Sequence, residues 1–272
     1  MIFMTLELQH TKMPYSIDVP NVGTILYSAA SIDYLSHPEA VAYARKQGGN
    51  LASLAQLGFF KAARFQPTFI LIDRARDWPQ PGADWRHSGT LVSYGDGVMR
   101  PWEPDQDTLE RISQAGYEAN SKGDELIYDL RSETKDPVVL AIRKAWIEGI
   151  KRQALLPTQN WNELSLLPAE SSAFETCDIT QALMQQGAHY LADDLRSERR
   201  TEGIVYCLIA KDLTEAGLEA GDGKVLIRPS RLGYDRTYSD YVGVVACGQF
   251  GRKGWARAVA EAPKSPSEKQ GE

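Results

Sequence analysis

The chain has 272 residues, of which 30 are Lys or Arg and 36 are Asp or Glu, and its formal net charge is −6. Hydrophobic residues make up 43% and charged residues 24%, which excludes a disordered chain, a collagen and a small disulfide scaffold. The acidic balance argues against non-specific binding of nucleic acid, because neutralising phosphates requires a surplus of Lys and Arg. No window reaches the ~20 apolar residues of a membrane span, and no signal-peptide pattern is present. We therefore expect a cytoplasmic protein with no membrane partner.

Two helices are predicted early in the chain. Ser36 followed by Glu39, and Ser53 followed by Gln56, have the spacing of capping boxes, in which two side chains satisfy the free N–H groups of a helix start. Gly48-Gly49 supplies the left-handed residue that commonly ends a helix. The sequence therefore predicts one helix from Ser36 to Gly48 and a second that begins at Ser53.

Strand signals lie before and after these helices. Residues 22–27 form a short run with β-branched residues, and residues 68–72 form a continuous apolar run that is typical of a buried strand. Residues 90–94 and 98–102 flank Gly95-Asp96-Gly97, and glycine accepts the positive φ of a tight turn. We expect a hairpin there.

The second half of the chain alternates helices and strands. Leu109, Ile112 and Ala115 mark a short helix, and Asp136-Pro137 has the N-cap and first-turn proline of another. Asp178 with Gln181 predicts a capping box and a single helix up to about residue 197. The remaining strands are predicted at 203–209, 224–227 and 241–247.

This pattern predicts an α+β fold, with mixed or antiparallel sheets of short strands and helices packed on one side. We divide it into an N-terminal unit at 1–155 and a C-terminal unit at 173–262 packed on it. The final residues, 263–272, are rich in Lys, Ser, Pro and Glu and cannot bury apolar surface, so we expect a flexible tail.

Compact catalytic and metal motifs are missing from the sequence. The three cysteines have no CxxC spacing, and the four histidines have no HxH or HxxxH spacing. Neither a glycine-rich phosphate loop nor a GxSxG elbow occurs. We therefore assign no metal, no cofactor and no catalytic residue.

Two polar clusters are the candidate ligand-binding residues, since loops beyond strand ends often carry binding groups. Arg and Trp bind ligands through forked hydrogen bonds and stacking, and interleaved Tyr, Arg and Asp are typical of recognition surfaces. The first cluster, in a predicted loop, comprises Asp73, Arg74, Arg76, Asp77, Trp85 and His87. The second, in a predicted exposed hairpin, comprises Arg231, Tyr234, Asp235, Arg236 and Tyr238.

Several segments match a known pattern of a helix, a Gly-Gly stop, a second helix and conserved tryptophan turns. They are Ala42-Tyr-Ala-Arg-Lys-Gln-Gly-Gly-Asn-Leu-Ala-Ser53, Phe69-Ile-Leu-Ile72, Trp85-Arg-His-Ser-Gly-Thr-Leu91, Trp102-Glu-Pro-Asp-Gln106 and Trp161-Asn-Glu163. Through these segments, residues 36–165 resemble the C-type-lectin-like fold, which implies a recognition function. The family's paired cysteines are missing. Its calcium-binding Glu-Pro-Asn is matched only by the displaced Glu103-Pro104-Asp105, which with Asn162 and Glu163 would complete a calcium site.

Two functions remain open from the sequence. The first is a non-catalytic recognition protein that presents the two polar clusters to a small-molecule ligand or a protein partner. The alternative is a hydrolase whose acid and base groups come from distant segments, with Asp73, Asp77, His87 and Asp235 as candidates.

Overall fold

The computed structural model describes residues 13, 15–63, 84–158, 171–197, 203–235 and 241–261. Within these ranges the helices are α1 His37–Lys46, α2 Leu54–Ala63, α3 Gln106–Ser121, α4 Pro137–Glu148, α5 Ser171–Thr176, α6 Asp178–Met184, α7 Gln186–Ser197 and α8 Ala210–Glu215. The strands are β1 Tyr15–Val19, β2 Gly23–Tyr27, β3 Asn50–Leu51, β4 Asp84–Gly95, β5 Val98–Trp102, β6 Ile127–Asp129, β7 Ala154–Leu155, β8 Gly203–Tyr206, β9 Lys224–Asp235, β10 Tyr241–Val245 and β11 Ala258–Glu261. None of the helices in these ranges is long and apolar enough to cross a membrane.

The predicted capping boxes form at the starts of α1 and α2. Glu39 accepts a hydrogen bond from the Ser36 N–H at 2.6 Å. The Ser53 N–H donates to Gln56 Oε1 at 2.8 Å, and the Gln56 N–H donates back to Ser53 Oγ at 3.2 Å. These reciprocal bonds satisfy N–H groups that lack a partner within the helix, which fixes where each helix begins.

Two sheets organise the described strands. The smaller sheet has the order β1-β2-β11-β3, and the larger has the order β7-β5-β4-β9-β10-β8, with β6 also pairing β9. Only the β8–β10 pair is parallel among the described pairs. The prediction of an α+β fold with mixed and antiparallel sheets is confirmed. Strands from both predicted units pair with each other, β2 with β11 and β4 with β9.

The larger sheet contributes to two hydrophobic clusters, one from each of its faces. Along β9, Leu226 and Leu232 belong to one cluster, whereas Val225 and Ile227 belong to the other. Successive side chains of a strand point to opposite faces, so the clusters lie on opposite sides of the sheet. The first cluster includes residues of α2 and α5–α8, and the second includes residues of α1, α3 and α4. The helices thus form two groups, where the sequence analysis expected helices on one side only.

Strand β4 contains an irregularity that positions the candidate site. Its register against β9 shifts between His87 and Leu91. Backbone groups at the bulge are satisfied locally, because the Thr90 N–H donates to Ser88 Oγ at 3.0 Å and Ser230 Oγ donates to the Thr90 carbonyl at 2.6 Å. This bulge separates the core-facing half of β4 from the half that carries the predicted site residues.

Several elements differ from the sequence predictions. Helix α3 is longer than the short helix expected around Ile112, and β9 continues past residue 227 to Asp235. The single helix predicted from Asp178 is two helices, because Gln185 between them adopts a positive φ of 49° and breaks the helical path. The strand predicted at 68–72 lies outside the described residues.

Candidate functional site

Members of both predicted polar clusters lie on neighbouring strands. Trp85 and His87 lie on β4, and Arg231, Tyr234 and Asp235 lie on β9, so these residues are on strands and not in the loops that the sequence analysis expected. The predicted strand was too short because the apolar run of the sequence ends before Pro229, whereas β9 continues through this proline. The other predicted site residues, Asp73, Arg74, Arg76, Asp77, Arg236 and Tyr238, lie outside the described residues.

The strand register places these residues in two adjacent rows. Trp85 on β4 pairs with Gly233 on β9, which in turn pairs with Gly243 on β10. In the next row on the same face, His87 pairs with Arg231. The cation, the imidazole and the indole therefore share one face of the sheet.

The opposite face at this end of the sheet is core. Leu232 and Val244, which alternate with the site residues along β9 and β10, are buried in the first hydrophobic cluster. The strands are therefore held from behind by packed apolar side chains, and the site residues are mounted on a rigid support.

Trp85 lies across two glycines. A Cβ on Gly233 would come within 2.1 Å of Trp85 Cε3, and a Cβ on Gly243 would come within 2.8 Å of Trp85 Cη2. Only glycine leaves room for the indole to lie flat on the neighbouring strands. Tyr206 closes one side, with its ring centroid 6.3 Å from that of Trp85 and an interplanar angle of 72°. The half-buried indole is thus fixed in place while part of its surface stays accessible.

Arg231 is buried next to this indole, with only 7% of the residue exposed. Its guanidinium carbon lies 5.9 Å from the centroid of Trp85, and Nη2 donates to the Lys253 carbonyl. A Cβ on Gly254 would come within 2.6 Å of Nη2, so this close approach also requires glycine. Burial, reinforced by the nearby Arg252, lowers the pKa of Arg231 to about 10.

His87 is fully buried beside Arg231. Its Nε2 donates to the Leu35 carbonyl at 2.8 Å, which leaves Nδ1 as an acceptor, and Nδ1 has no hydrogen-bond partner. Burial, together with the charges of His37 and Arg231, holds the pKa of His87 well below its usual value. The imidazole is therefore neutral at physiological pH.

His37 at the start of α1 packs against His87, with ring centroids 5.3 Å apart and an interplanar angle of 86°. Its Nε2 donates to the Ser88 carbonyl at 3.0 Å, and Nδ1 lies 2.8 Å from Ser113 Oγ. Burial lowers the pKa of His37 to about 4. The sequence analysis did not select His37, because nothing in its local sequence shows that α1 packs on β4.

We call this surface the Trp85–Arg231 face, defined by Trp85, His87, Tyr206, Arg231, Gly233 and Gly243. It combines a rigidly held aromatic surface with a buried positive charge, which are the side-chain types enriched at binding hot spots. The sequence reasoning missed Tyr206 and the two glycines. One signal was available in the sequence. In both Arg231-Leu-Gly233 and Tyr241-Val-Gly243 a central apolar residue separates two residues that a strand would place on the opposite face.

The described residues do not support the calcium site that the family resemblance implies. Glu103 forms an ion pair with Arg152 and accepts from Thr90 Oγ1 at 3.0 Å. Asp105 caps α3 by accepting from the Thr108 N–H at 2.8 Å. Asn162 and Glu163 lie outside the described residues. Within the described ranges, no group of three or more His, Cys, Asp or Glu is placed to hold a metal ion.

An open groove of about 930 Å³ lies between α1 and α3. Several of its charged groups pair with one another or with a neighbour: Arg45 lies 2.5 Å from Glu110 and 3.4 Å from Asp107, and Glu39 lies 3.8 Å from Lys253. The described ion pairs thus compensate most of the charge that lines this groove.

No family model matches the chain, and no curated protein matches it. Among solved structures, the chain is similar to one described as "Accommodation of massive sequence variation in Nanoarchaeota by the C-type lectin fold". The TM-score is 0.46 and the sequence identity is 10%, and the match covers 87% of this chain and 96% of that chain.

Proposed function

We propose that this protein is a non-catalytic recognition protein that binds a ligand or protein partner at the Trp85–Arg231 face. The observation that carries this proposal is the pairing of β4 with β9, which sets Trp85 beside Gly233 and His87 beside Arg231. Segments far apart in the chain thus supply one continuous surface.

The construction of the face supports a binding function. Binding is costly when long side chains must be ordered, and a side chain held in place beforehand avoids part of that cost. Trp85 is held by two glycines and Tyr206, and Arg231 is held by the Lys253 carbonyl. A partner would therefore meet a preformed surface.

The proposal can be tested by selecting binders from a random peptide display library with the purified wild-type chain. Each selected peptide is then measured against Trp85→Ala and against Ile147→Ala, which removes an exposed side chain of similar apolar character on α4. We expect Trp85→Ala to weaken binding by tenfold or more, as truncation of a hot-spot aromatic does, and Ile147→Ala to change it less than twofold. Selected peptides that bind Trp85→Ala as well as wild type, or a library without any binder, would contradict the proposal.

The hydrolase alternative has one observation in its favour. Nδ1 of the neutral His87 lacks a donor, which is the state that a general base requires. However, a general base must reach the proton that it removes, and His87 is fully buried. Turnover of a panel of ester and amide substrates that is lost in His87→Gln and kept in Trp85→Ala would favour the enzyme over the recognition protein.

A further inference from the structure

The guanidinium of Arg231 has no counter-charge among the residues that the structure describes. Among the residues that the structure describes, no carboxylate forms an ion pair with Arg231, and its Nε is buried without a hydrogen-bond partner. The one acceptor that it reaches there is the Lys253 carbonyl. Buried cations are normally paired, because removing an ion from water is costly unless an opposite charge compensates.

The surroundings of Arg231 add positive charge. Arg252 is exposed and close enough to lower the pKa of Arg231, and it forms no ion pair within the described ranges. The flanking Lys253 is exposed as well, although its ammonium lies 3.8 Å from Glu39, which compensates part of its charge. His87 and His37 are neutral and supply no negative charge. A group of cations held together in this way attracts an anion.

We propose that Arg231 is the anchor for a carboxylate of an acidic side chain in a protein or peptide ligand. The inference rests on the proposed binding function of the Trp85–Arg231 face and names the chemistry of the ligand. A guanidinium presents a planar set of N–H donors that matches a carboxylate. The adjacent indole of Trp85 would cover the apolar part of the same ligand side chain or its neighbour.

The chain offers a matched internal comparison for this inference. Arg228 lies on the same strand and is 8% exposed, and its Nη2 donates to Glu125 Oε1 at 2.5 Å. The protein thus neutralises one buried arginine of β9 with its own carboxylate. The other arginine is left for a carboxylate from outside.

The test uses acidic peptides chosen from those selected in the experiment above. Each Glu or Asp of a peptide is replaced by Gln or Asn, and affinity is measured against wild type, Arg231→Gln and the control Arg131→Gln, which changes an exposed arginine elsewhere. For one acidic position we expect a loss of tenfold or more with wild type and with Arg131→Gln, and less than twofold with Arg231→Gln. Such coupling identifies the carboxylate that contacts Arg231.

Equal losses at every acidic position in wild type and Arg231→Gln would overturn the inference. If that occurs while Trp85→Ala still abolishes binding, the proposed function survives and only the carboxylate anchor fails. If the peptides bind Trp85→Ala as well as wild type, the proposed function fails first. Selected peptides that contain no acidic residue would also overturn the anchor.

A measurement without ligand separates an external carboxylate from one supplied by this chain. Because Arg231 has no carboxylate partner among the described residues, we expect Arg231→Met to melt at a temperature no lower than wild type, whereas Arg228→Met should melt several degrees lower because Glu125 loses its partner. A drop for Arg231→Met as large as that for Arg228→Met would show an internal pair and overturn the inference.

Discussion

Arg228 and Arg231 occupy the same strand and are buried to nearly the same extent, 8% and 7% exposed, yet their electrostatic environments differ. Arg228 is paired with Glu125. Arg231 faces Trp85, a backbone carbonyl and another arginine. Both have a buried Nε without a hydrogen-bond partner, so the carboxylate is what distinguishes them.

The difference separates a buried arginine that contributes to the stability of the fold from one that does not. A paired buried arginine is explained by folding alone. A buried arginine without a carboxylate reduces the stability of the isolated chain, which is common where a site must keep charge available for a partner. The following predictions test whether the two arginines differ in this way.

The largest effect should come from acid, since two buried histidines lie beside Arg231. Between the usual pKa of 6.5 and the pKa of His37 of about 4, the unfolded chain binds protons that the folded chain does not. The free energy of unfolding therefore falls as pH falls below 6.5, with a slope for His37 that approaches roughly 1.4 kcal/mol per pH unit well below that value. His37 alone should account for a loss of about 1.5 kcal/mol between pH 6.5 and 5, and the lowered pKa of His87 adds to the loss in the same direction.

This loss can be measured by urea unfolding at a series of pH values. The positive charge of Arg231 helps to lower both histidine pKa values, so Arg231→Met should make the pH dependence shallower while Arg228→Met leaves it unchanged. An unfolding free energy that is flat from pH 6.5 to 5 would contradict the burial of neutral histidines.

Removing the carboxylate of Glu125 should make Arg228 resemble Arg231. Glu125→Gln leaves the buried guanidinium without a counter-charge and should lower the free energy of unfolding by about 2 kcal/mol, because the pair is partly screened by solvent. The control Glu110→Gln removes an exposed partner of Arg45 and should change it by less than about 0.5 kcal/mol. Equal effects of the two variants would remove the contrast between the arginines.

Gly254→Ala should disturb Arg231 without touching Arg228. The new methyl group would lie 2.6 Å from Nη2, which requires the guanidinium to move and should cost roughly 1–2 kcal/mol of unfolding free energy. Gly251→Ala is the control, because its nearest neighbour would be Tyr117 Cδ2 at 3.9 Å, an ordinary contact. Differential scanning calorimetry of both variants measures the difference, and equal melting temperatures would contradict the packing around Arg231.

The smallest effect should come from Arg252. Arg252→Gln removes a charge that repels Arg231, so the melting temperature should rise by roughly 1–3 °C at low salt, and the gain should fade as salt is added. Arg131→Gln, which removes an exposed partner of Asp129, should produce no such rise. A decrease for Arg252→Gln would mean that an anion already sits between the two arginines.

Local signals in the sequence predicted the elements that depend on neighbouring residues. The capping boxes at Ser36 and Ser53 and the turn at Asp96 and Gly97, which have φ values of 49° and 71°, form as expected, because a few adjacent residues determine them. The sequence did not predict the end of α6. Gln185 adopts a positive φ there, and glutamine is not a residue type that indicates this conformation.

The candidate site depends on register, which sequence alone does not fix. Trp85 and Arg231 were selected for their chemistry, but their shared face follows from the pairing of β4 with β9, and that pairing depends on the bulge after His87. A shift of one residue would send Trp85 to the core face. Burial of His37 and His87 depends in the same way on how α1 packs on the sheet.

The pairing of β4 with β9 also bears on how the chain folds during synthesis. Ser88 and Ser230, which bond across this pair, are 142 positions apart in sequence. Until β9 leaves the ribosome, β4 presents one unpaired edge with its backbone donors and acceptors exposed. Such non-local pairing slows folding and favours aggregation of partly made chains. We therefore expect the yield of native protein to depend on chaperones that shield the nascent N-terminal half.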